Sequence, residues 1–520
     1  MQLFAMKKNR IGISGAIGFG VGICPPTILP SGFTPMVGYN LLSSDNYGNY
    51  QYKDGSIMVW VPKFYYKIST NDIDIKSIYD YPTTALANAA GYALHRAFID
   101  GGAEKAGFMF DKYQISKNAL GAGYVGSSIK NGLPISAHAD HNPIAGLTAC
   151  AGNYYYEMIN AAHARDGVDG AVNASSMFHC ASKFQYAALA MLSVAHGQAS
   201  AATGLCAWYD ATNNFPKGCN NNALSDANDG TVIWESDGYS NCGKTGSAGY
   251  GGGAGNVFAK STHNGQACGV ADLNGLMWEV SLGLTSIRTT VAIEAMTRAN
   301  PCIVTWTGHG LTTGKPVMIG DTDITQAGWT ALNSKIFAVT VINADTFSLD
   351  GVDSSAFAAV YDAVTDPGQI HKATFYVAKQ ATVMKDFTFG NSGATDHWGA
   401  TGVAAMMDEF TPAFETGYPN NGYVQRFGSG ANQVLAEDVS GAAWLLTGLG
   451  LPKDKDGMDT TGINLFGRDY FYQYIQNQLC VRVCGPWSYA SSAGVWTVAW
   501  SNSRSDANYA VGFRLGLYPE

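Results

Sequence analysis

The sequence predicts an α+β chain dominated by short strands and loops, with a small all-β module inserted into a larger unit. Three observations carry this expectation. The 62 glycines and the 28 Tyr, 23 Phe and 11 Trp favour a turn-rich fold over a helical bundle. Only two segments have strong helical character, 153–165 and 182–196. After Ser286 the composition shifts to Thr, Val, Ile, Ala and Asp in short alternating runs, and the earlier composition returns after residue 370. The expected organisation is a β-rich attachment or oligomerisation region at 1–56, the first part of the main unit at 57–286, the insert at 287–370, and the second part of the main unit at 371–520.

In chain order, Lys7, Lys8 and Arg10 precede the apolar run "IGISGAIGFGVGIC", which imitates a signal peptide. Ile11, Ile13, Ile17, Phe19, Val21 and Ile23 alternate with small residues, however, and this period-two pattern reads as a strand. "PPTILPSGFTP" is a connector. "MVWVPKFYYKI" from Met58 and "GFMFDKYQIS" (107–116) read as strands, and "ALANAAGYALHRAF" (85–98) as helix. In 182–196, Phe184, Ala187, Ala188, Met191, Leu192 and Ala195 share one face; Ser182 is the expected cap and Gly197 the expected stop. The segment 204–270 reads as loop. Within the insert, "GHG", "TTG" and "NAD" turns separate the strands.

Several motifs imitate chemistry. "GYSNCGKT" (238–245) fits a phosphate-loop pattern, but a helix must follow such a loop and "GSAGYGGGAGN" cannot form one. "HADH" (His138, Asp140, His141) lies between Pro134 and Pro143 in a loop and lacks a third ligand. "DANDG" (226–230) misplaces the glycine of a calcium loop. Cys480 and Cys484 of "CVRVC" stand about 13 Å apart along an extended strand and cannot pair there. The ten cysteines, Cys24, Cys150, Cys180, Cys206, Cys219, Cys242, Cys268, Cys302, Cys480 and Cys484, read as buried free thiols. No catalytic residue, metal ligand or cofactor is therefore expected. The net charge of −9 gives no footprint for nucleic acid, and no apolar run is long enough for membrane insertion.

"GVADLNGLMWEVSLGLT" (269–285) resembles the D-x-N-G-N-x-W-E-W signature of the formylglycine-generating-enzyme branch of the C-type lectin fold. Asp272, Asn274, Gly275, Trp278 and Glu279 match it; Leu276 and Val280 depart. Asn274-Gly275 suits a tight turn, Trp278 suits a large buried surface, and Glu279 is expected to accept hydrogen bonds from loop backbone. The closing G-G-x-W … R … G-F-R segment is matched by Gly485, Trp487, Arg504, Gly512, Phe513 and Arg514, with Pro486 in place of a glycine. "AFIDGGAEKAGFMFDKYQIS" (97–116) is similar to the passage that opens this fold. The resemblance spans about 57–286 and 371–520.

The last segment, "GPWSYASSAGVWTVAWSNSRSDANYAVGFR", is closer to the variable proteins of diversity-generating retroelements and to phage tail-tip adhesins of the major-tropism-determinant type. The insert resembles immunoglobulin-like modules of tail fibres, and "KFQYAALAMLSVAHGQAS" resembles segments of phage tail proteins. The resemblance implies a receptor-binding protein of the virion tail tip or tail fibre, a homotrimer that associates with other tail proteins and binds a protein or glycan on the bacterial surface. The contact positions it implies are Ser488, Tyr489, Ser491, Ser492, Thr497, Ala499, Trp500, Ser501, Asp506, Tyr509 and Ala510. Its framework positions are Asp272, Asn274, Trp278, Glu279, Trp487, Trp496, Arg504, Phe513 and Arg514. Trp487, Trp496 and Phe513 are expected in the core; Tyr489, Trp500 and Tyr509 at the surface; Arg504 and Arg514 paired with carboxylates or carbonyls. The alternatives are an enzyme on the same fold and a host-encoded, retroelement-diversified surface protein. "CVRVC" lacks the arginine-rich context of the enzyme branch, and "HADH" does not supply the three-ligand set of its iron-dependent relatives.

Overall fold

The computed structural model describes residues 19–69, 72–137, 154–199, 242, 263, 267–273, 276–320, 324–387, 405–412, 418–419, 423–425, 442–451, 458–459, 470–486, 493–506, 508 and 510–519. Strands dominate and helices are few, so the fold is α+β. A six-stranded sheet runs in the order Phe33–Pro35, Asn49–Tyr52, Ile57–Pro62, Gly107–Asp111, Leu515–Leu517, His179–Cys180. The chain's last strand thus lies between two of its early ones.

A seven-stranded sheet holds Trp278–Val280 between Arg482–Val483 and Val511–Gly512. In the main core Trp60, Phe108, Phe110, Leu192, Trp444 and Trp496 are almost wholly buried. Each such side chain contributes roughly 1.5–3 kcal/mol of transfer free energy. The backbones approach closely here. A Cβ on Gly107 would collide with the Val61 carbonyl and the Trp60 ring, which explains glycine at the start of a core strand.

The sequence-derived elements appear with informative shifts. "MVWVPKFYYKI" divides into the Ile57–Pro62 and Phe64–Ser69 strands, and "GFMFDKYQIS" into Gly107–Asp111 and Ile115–Leu120. The 85–98 helix is shorter than expected. It covers Thr84–Ala89, and Gly91 at φ +78° turns the chain into the Ala93–Leu94 strand and the Arg96–Phe98 3-10 turn. Tyr154–Ala164 and Lys183–Ala199 are helices. Ser182 and Gln185 cap the second one reciprocally: Gln185 N–H donates to Ser182 Oγ, and Gln185 Oε1 accepts from Ser182 N–H. The helix passes through Gly197 instead of stopping there. Its residues 183–196 are buried on every side, so tertiary packing overrides the glycine.

The period-two strand expected over 11–23 lies outside the described residues up to residue 18. Beyond it the chain is not extended: Gly20 and Gly22 have φ of +97° and +81°. Phe19, Val21, Phe33, Tyr50 and Tyr52 belong to the main core. The insert builds a core of its own, centred on Val304, Trp329, Phe337, Val339 and Phe347. The antiparallel Leu284–Ala292 and Gln369–Ala378 strands carry the chain out to it and back. Their inner ends, Leu284 and Val377, lie in the main core.

Candidate functional site

The two motifs singled out in the sequence, 235 residues apart, meet in a buried ion pair. Arg514 Nε donates to Glu279 Oε2 at 2.7 Å and Arg514 Nη2 to Glu279 Oε1 at 3.0 Å, with both side chains fully buried. Glu279 also accepts from Tyr186 Oη at 2.6 Å and from Gln114 Nε2 at 3.0 Å. Its partners are therefore side chains, not the loop backbone expected from the sequence. The rest of the Arg514 fork reaches the Lys112 and Ala271 carbonyls at 2.8 and 2.6 Å. Burial alone would lower the Arg514 pKa. The Glu279 carboxylate outweighs it, with smaller help from Tyr186 and Asp272, and holds the guanidinium charged.

A second buried pair stands beside the first. Arg165 grips both oxygens of Asp111 at 2.6 and 2.9 Å, and Asp111 Oδ2 accepts Leu515 N–H at 2.9 Å. Asp54 Oδ2 lies 3.7 Å from Arg165 Nε and accepts from Ser127 Oγ. Sequence reading missed Asp54, Asp111, Gln114, Arg165 and Tyr186. The available signal was a charge inside the apolar "GFMFDKYQIS" strand, which demands a buried partner.

These pairs anchor the closing segment. Glu279 pairs antiparallel with Val483 and parallel with Gly512. The stretch 484–511 therefore leaves from and returns to one residue of one strand. Cys484 at φ +73° and Gly485 at φ +78° begin the excursion. A Cβ on Gly485 would lie 2.7 Å from Ala493 Cβ, so the two limbs of the loop touch at their base.

The contact positions divide. Ser488, Tyr489, Ser491, Ser492 and Tyr509 lie outside the described residues, as do the framework residues Asn274 and Trp487. Thr497, Ala499 and Trp500 are buried to 2% exposure or less, which corrects their assignment as contacts. Val498–Ala499 lies between Tyr470–Tyr472 and Arg482–Val483, and both faces of the sheet are covered here: Val498, Ala499 and Trp500 all belong to the main core. Trp500 stacks on Phe375 at 5.3 Å and meets Phe471 edge-on at 5.0 Å. Trp496 and Phe513 are buried, as expected from the sequence, and so are Asp272 and Trp278.

The described residues of 501–510 return toward the surface. Ser505 and Asn508 are exposed; Ser501, Asp506 and Ala510 are half-buried. Asp506 works within the loop: its Oδ2 accepts from Ser503 N–H at 2.8 Å and Asn502 Nδ2 at 3.1 Å, and its carbonyl from Arg482 Nη2. Arg504 is buried and donates to the side-chain carbonyl of Gln478 at 2.9 Å.

Cys24, Cys180, Cys242, Cys268, Cys302, Cys480 and Cys484 are buried thiols outside any disulfide. Burial pushes the Cys480 thiol up to about 12, so it stays protonated at neutral pH. "HADH" and "DANDG" lie outside the described residues, as does "GYSNCGKT" apart from Cys242. Among the described residues no three His, Cys, Asp or Glu side chains are grouped to hold a metal ion, and no helix is long and apolar enough to cross a membrane. Comparison of the sequence with models of protein families and with curated protein sequences returned no match.

Proposed function

We propose that this chain is a receptor-binding protein of a phage tail tip or tail fibre, built on a C-type lectin-like frame, that contacts a bacterial surface molecule through its closing loops. The observation that carries the reading is the clamp: Glu279 ties the outgoing and returning strands of 484–511, and Arg514 locks Glu279 from the residue pair just after the loop. A loop so fixed at its base can change its displayed residues without moving its frame. Ser, Asn, Asp and Tyr in such a loop provide adaptable hydrogen bonding and rigid contact area, as antibody paratopes do. The working surface in this reading is Ser488, Tyr489, Ser491 and Ser492 together with Ser501, Ser505, Asn508, Tyr509 and Ala510. Thr497, Ala499 and Trp500 belong to its foundation. By the same reading the protein is a homotrimer, and several copies raise a modest affinity per site.

The test is adsorption of the fluorescently labelled protein to a broad panel of bacterial strains, with sedimentation analysis of its oligomeric state. The reading expects binding to a narrow subset of strains. A Tyr489→Ala/Asn508→Ala/Tyr509→Ala variant should lose that binding while keeping the wild-type melting curve. Uniform failure to bind across the panel, or undiminished binding of the folded variant, rejects it. The enzyme alternative gains nothing from Cys480, whose protonated thiol is a poor nucleophile and metal ligand.

A further inference from the structure

Two strands of the insert, Pro316–Ile319 and Lys335–Val341, are covered on both faces. Val317 and Phe337 lie opposite each other across them and belong to the insert's own core. Met318 and Ile336, the next opposed pair, point to the other face. They pack on Ile475, which is fully buried, with Tyr474 alongside. Ile475 belongs to the main unit, so the insert is seated on the segment that leads from the Tyr470–Tyr472 strand to Cys480.

That segment is hydrogen-bonded on two sides. Toward the root of the insert, Gln478 N–H donates to the Ser286 carbonyl at 2.9 Å, Ser286 Oγ to the Gln476 carbonyl at 2.7 Å, and Arg288 N–H to Asn477 Oδ1 at 3.0 Å. Toward the closing loop, Gln476 Nε2 donates to the Ser501 carbonyl at 3.0 Å and Cys480 N–H to the Asn502 carbonyl at 2.9 Å. Arg504 donates twice to Gln478, its N–H to the backbone carbonyl at 3.1 Å and its Nε to Oε1 at 2.9 Å. Gln478 has φ +50°. A side chain of this size takes that left-handed conformation only where its surroundings hold it there.

A displayed loop keeps its geometry when residues behind it, outside the contact surface, lock its backbone. From the seating of Met318 and Ile336 on Ile475, and from Gln476 and Gln478 bonded on both sides, we infer that the inserted module positions the 501–506 turn, with Gln478 as the positioning residue between them. The insert thereby governs what the closing loop displays without itself touching what the loop binds. This role rests on the reading of 484–511 as a contact loop. The link itself is measurable without a receptor, so it can fail while that reading stands and hold if that reading fails.

Hydrogen exchange on the full chain tests the link. Met318→Ala removes a side chain that seats the insert but is not part of the insert's own core. The Cys480 and Arg504 amides should then exchange about tenfold faster or more. Leu349, whose N–H donates to the Cys302 carbonyl within the insert, and Trp60, whose N–H donates to the Gly48 carbonyl in the main unit, should keep their rates. Gln478→Met removes the acceptor for Arg504 Nε and should speed the Arg504 amide by a similar factor. Gln478→Glu keeps an acceptor there and should hold that amide within about threefold of wild type. Cys480 and Arg504 amides within about threefold of wild type in Met318→Ala overturn the inference. An equal loss of protection at Leu349 and Trp60, or a Gln478→Glu chain as unprotected as Gln478→Met, overturns it as well.

Discussion

Replacing Arg514 with Met tests whether one buried pair holds the frame of the closing loop. The substitution roughly preserves chain length and apolar volume. It strands the Glu279 carboxylate, which is fully buried, and it removes the donors to the Lys112 and Ala271 carbonyls. Breaking a buried pair from one side costs about 3–5 kcal/mol, and leaving a buried carbonyl unpaired adds about 1–3 kcal/mol. Tyr186 and Gln114 still donate to Glu279 and soften the loss. A total of about 4 kcal/mol is expected. The double variant Glu279→Gln/Arg514→Met carries no stranded charge, and about half the loss should return. A chain with separate cores need not unfold in one step, so hydrogen exchange is the right assay. Amides of Trp278–Val280 and Val511–Gly512 should lose protection in the single variant and regain part of it in the double. Those of Val317 and Val339, in the insert's core, should not change. A single-variant loss under about 1 kcal/mol, or a double variant no better protected, would refute the reasoning.

Trp500→Ala should destabilise by about 3–5 kcal/mol, because the ring is fully buried against Phe375 and Phe471; Asn508→Ala, at an exposed position, should stay within about 0.5 kcal/mol in urea unfolding. The buried histidines set an acid limit. Burial pushes His95 down to about 3 and lowers His179 and His263, so the unfolded chain takes up their protons first as pH falls through 6.5. Stability should then drop with a histidine contribution of up to about 4 kcal/mol per pH unit. His95→Asn, whose side-chain oxygen can accept Ala97 N–H in place of Nδ1, should shed about a third of that slope; an unchanged slope would contradict the assignment. Gly107→Ala should lower the melting temperature by more than 5 °C, since its Cβ meets the Val61 carbonyl and the Trp60 ring; a neutral result in calorimetry would show that the strands can part.

Local periodicity made the elements legible, while long-range pairing remained hidden. The 183–199 helix was readable because a cap and an apolar face recur within a few residues. The Glu279 environment was not, since Arg514, Tyr186 and Gln114 arrive from three distant segments. Each motif signalled its own importance, and neither spacing nor composition signalled that they bind each other.

Trp500 shows where composition misled. Tryptophan among Ser, Asn and Tyr suggested a contact surface, yet "VWTVAW" forms the inner limb of the loop. Alternation distinguishes two faces of a strand but cannot show that both are covered, as they are at Val498 and Ala499. The division within 484–511 therefore follows sheet topology more than residue type. Val498 and Ala499 are fixed by strand pairing and the rest of 493–500 is buried, so substitutions there act on stability. Asp506 holds the turn at 502–506, so Asp506→Asn should loosen the loop before it changes any contact. Among the described positions, tolerance to substitution falls to Ser501, Ser505, Asn508 and Ala510. A library randomised at those four sites should retain mostly folded members, whereas one randomised at Thr497, Ala499, Trp500 and Asp506 should not. If the two libraries fold equally often, topology does not control where this loop can vary.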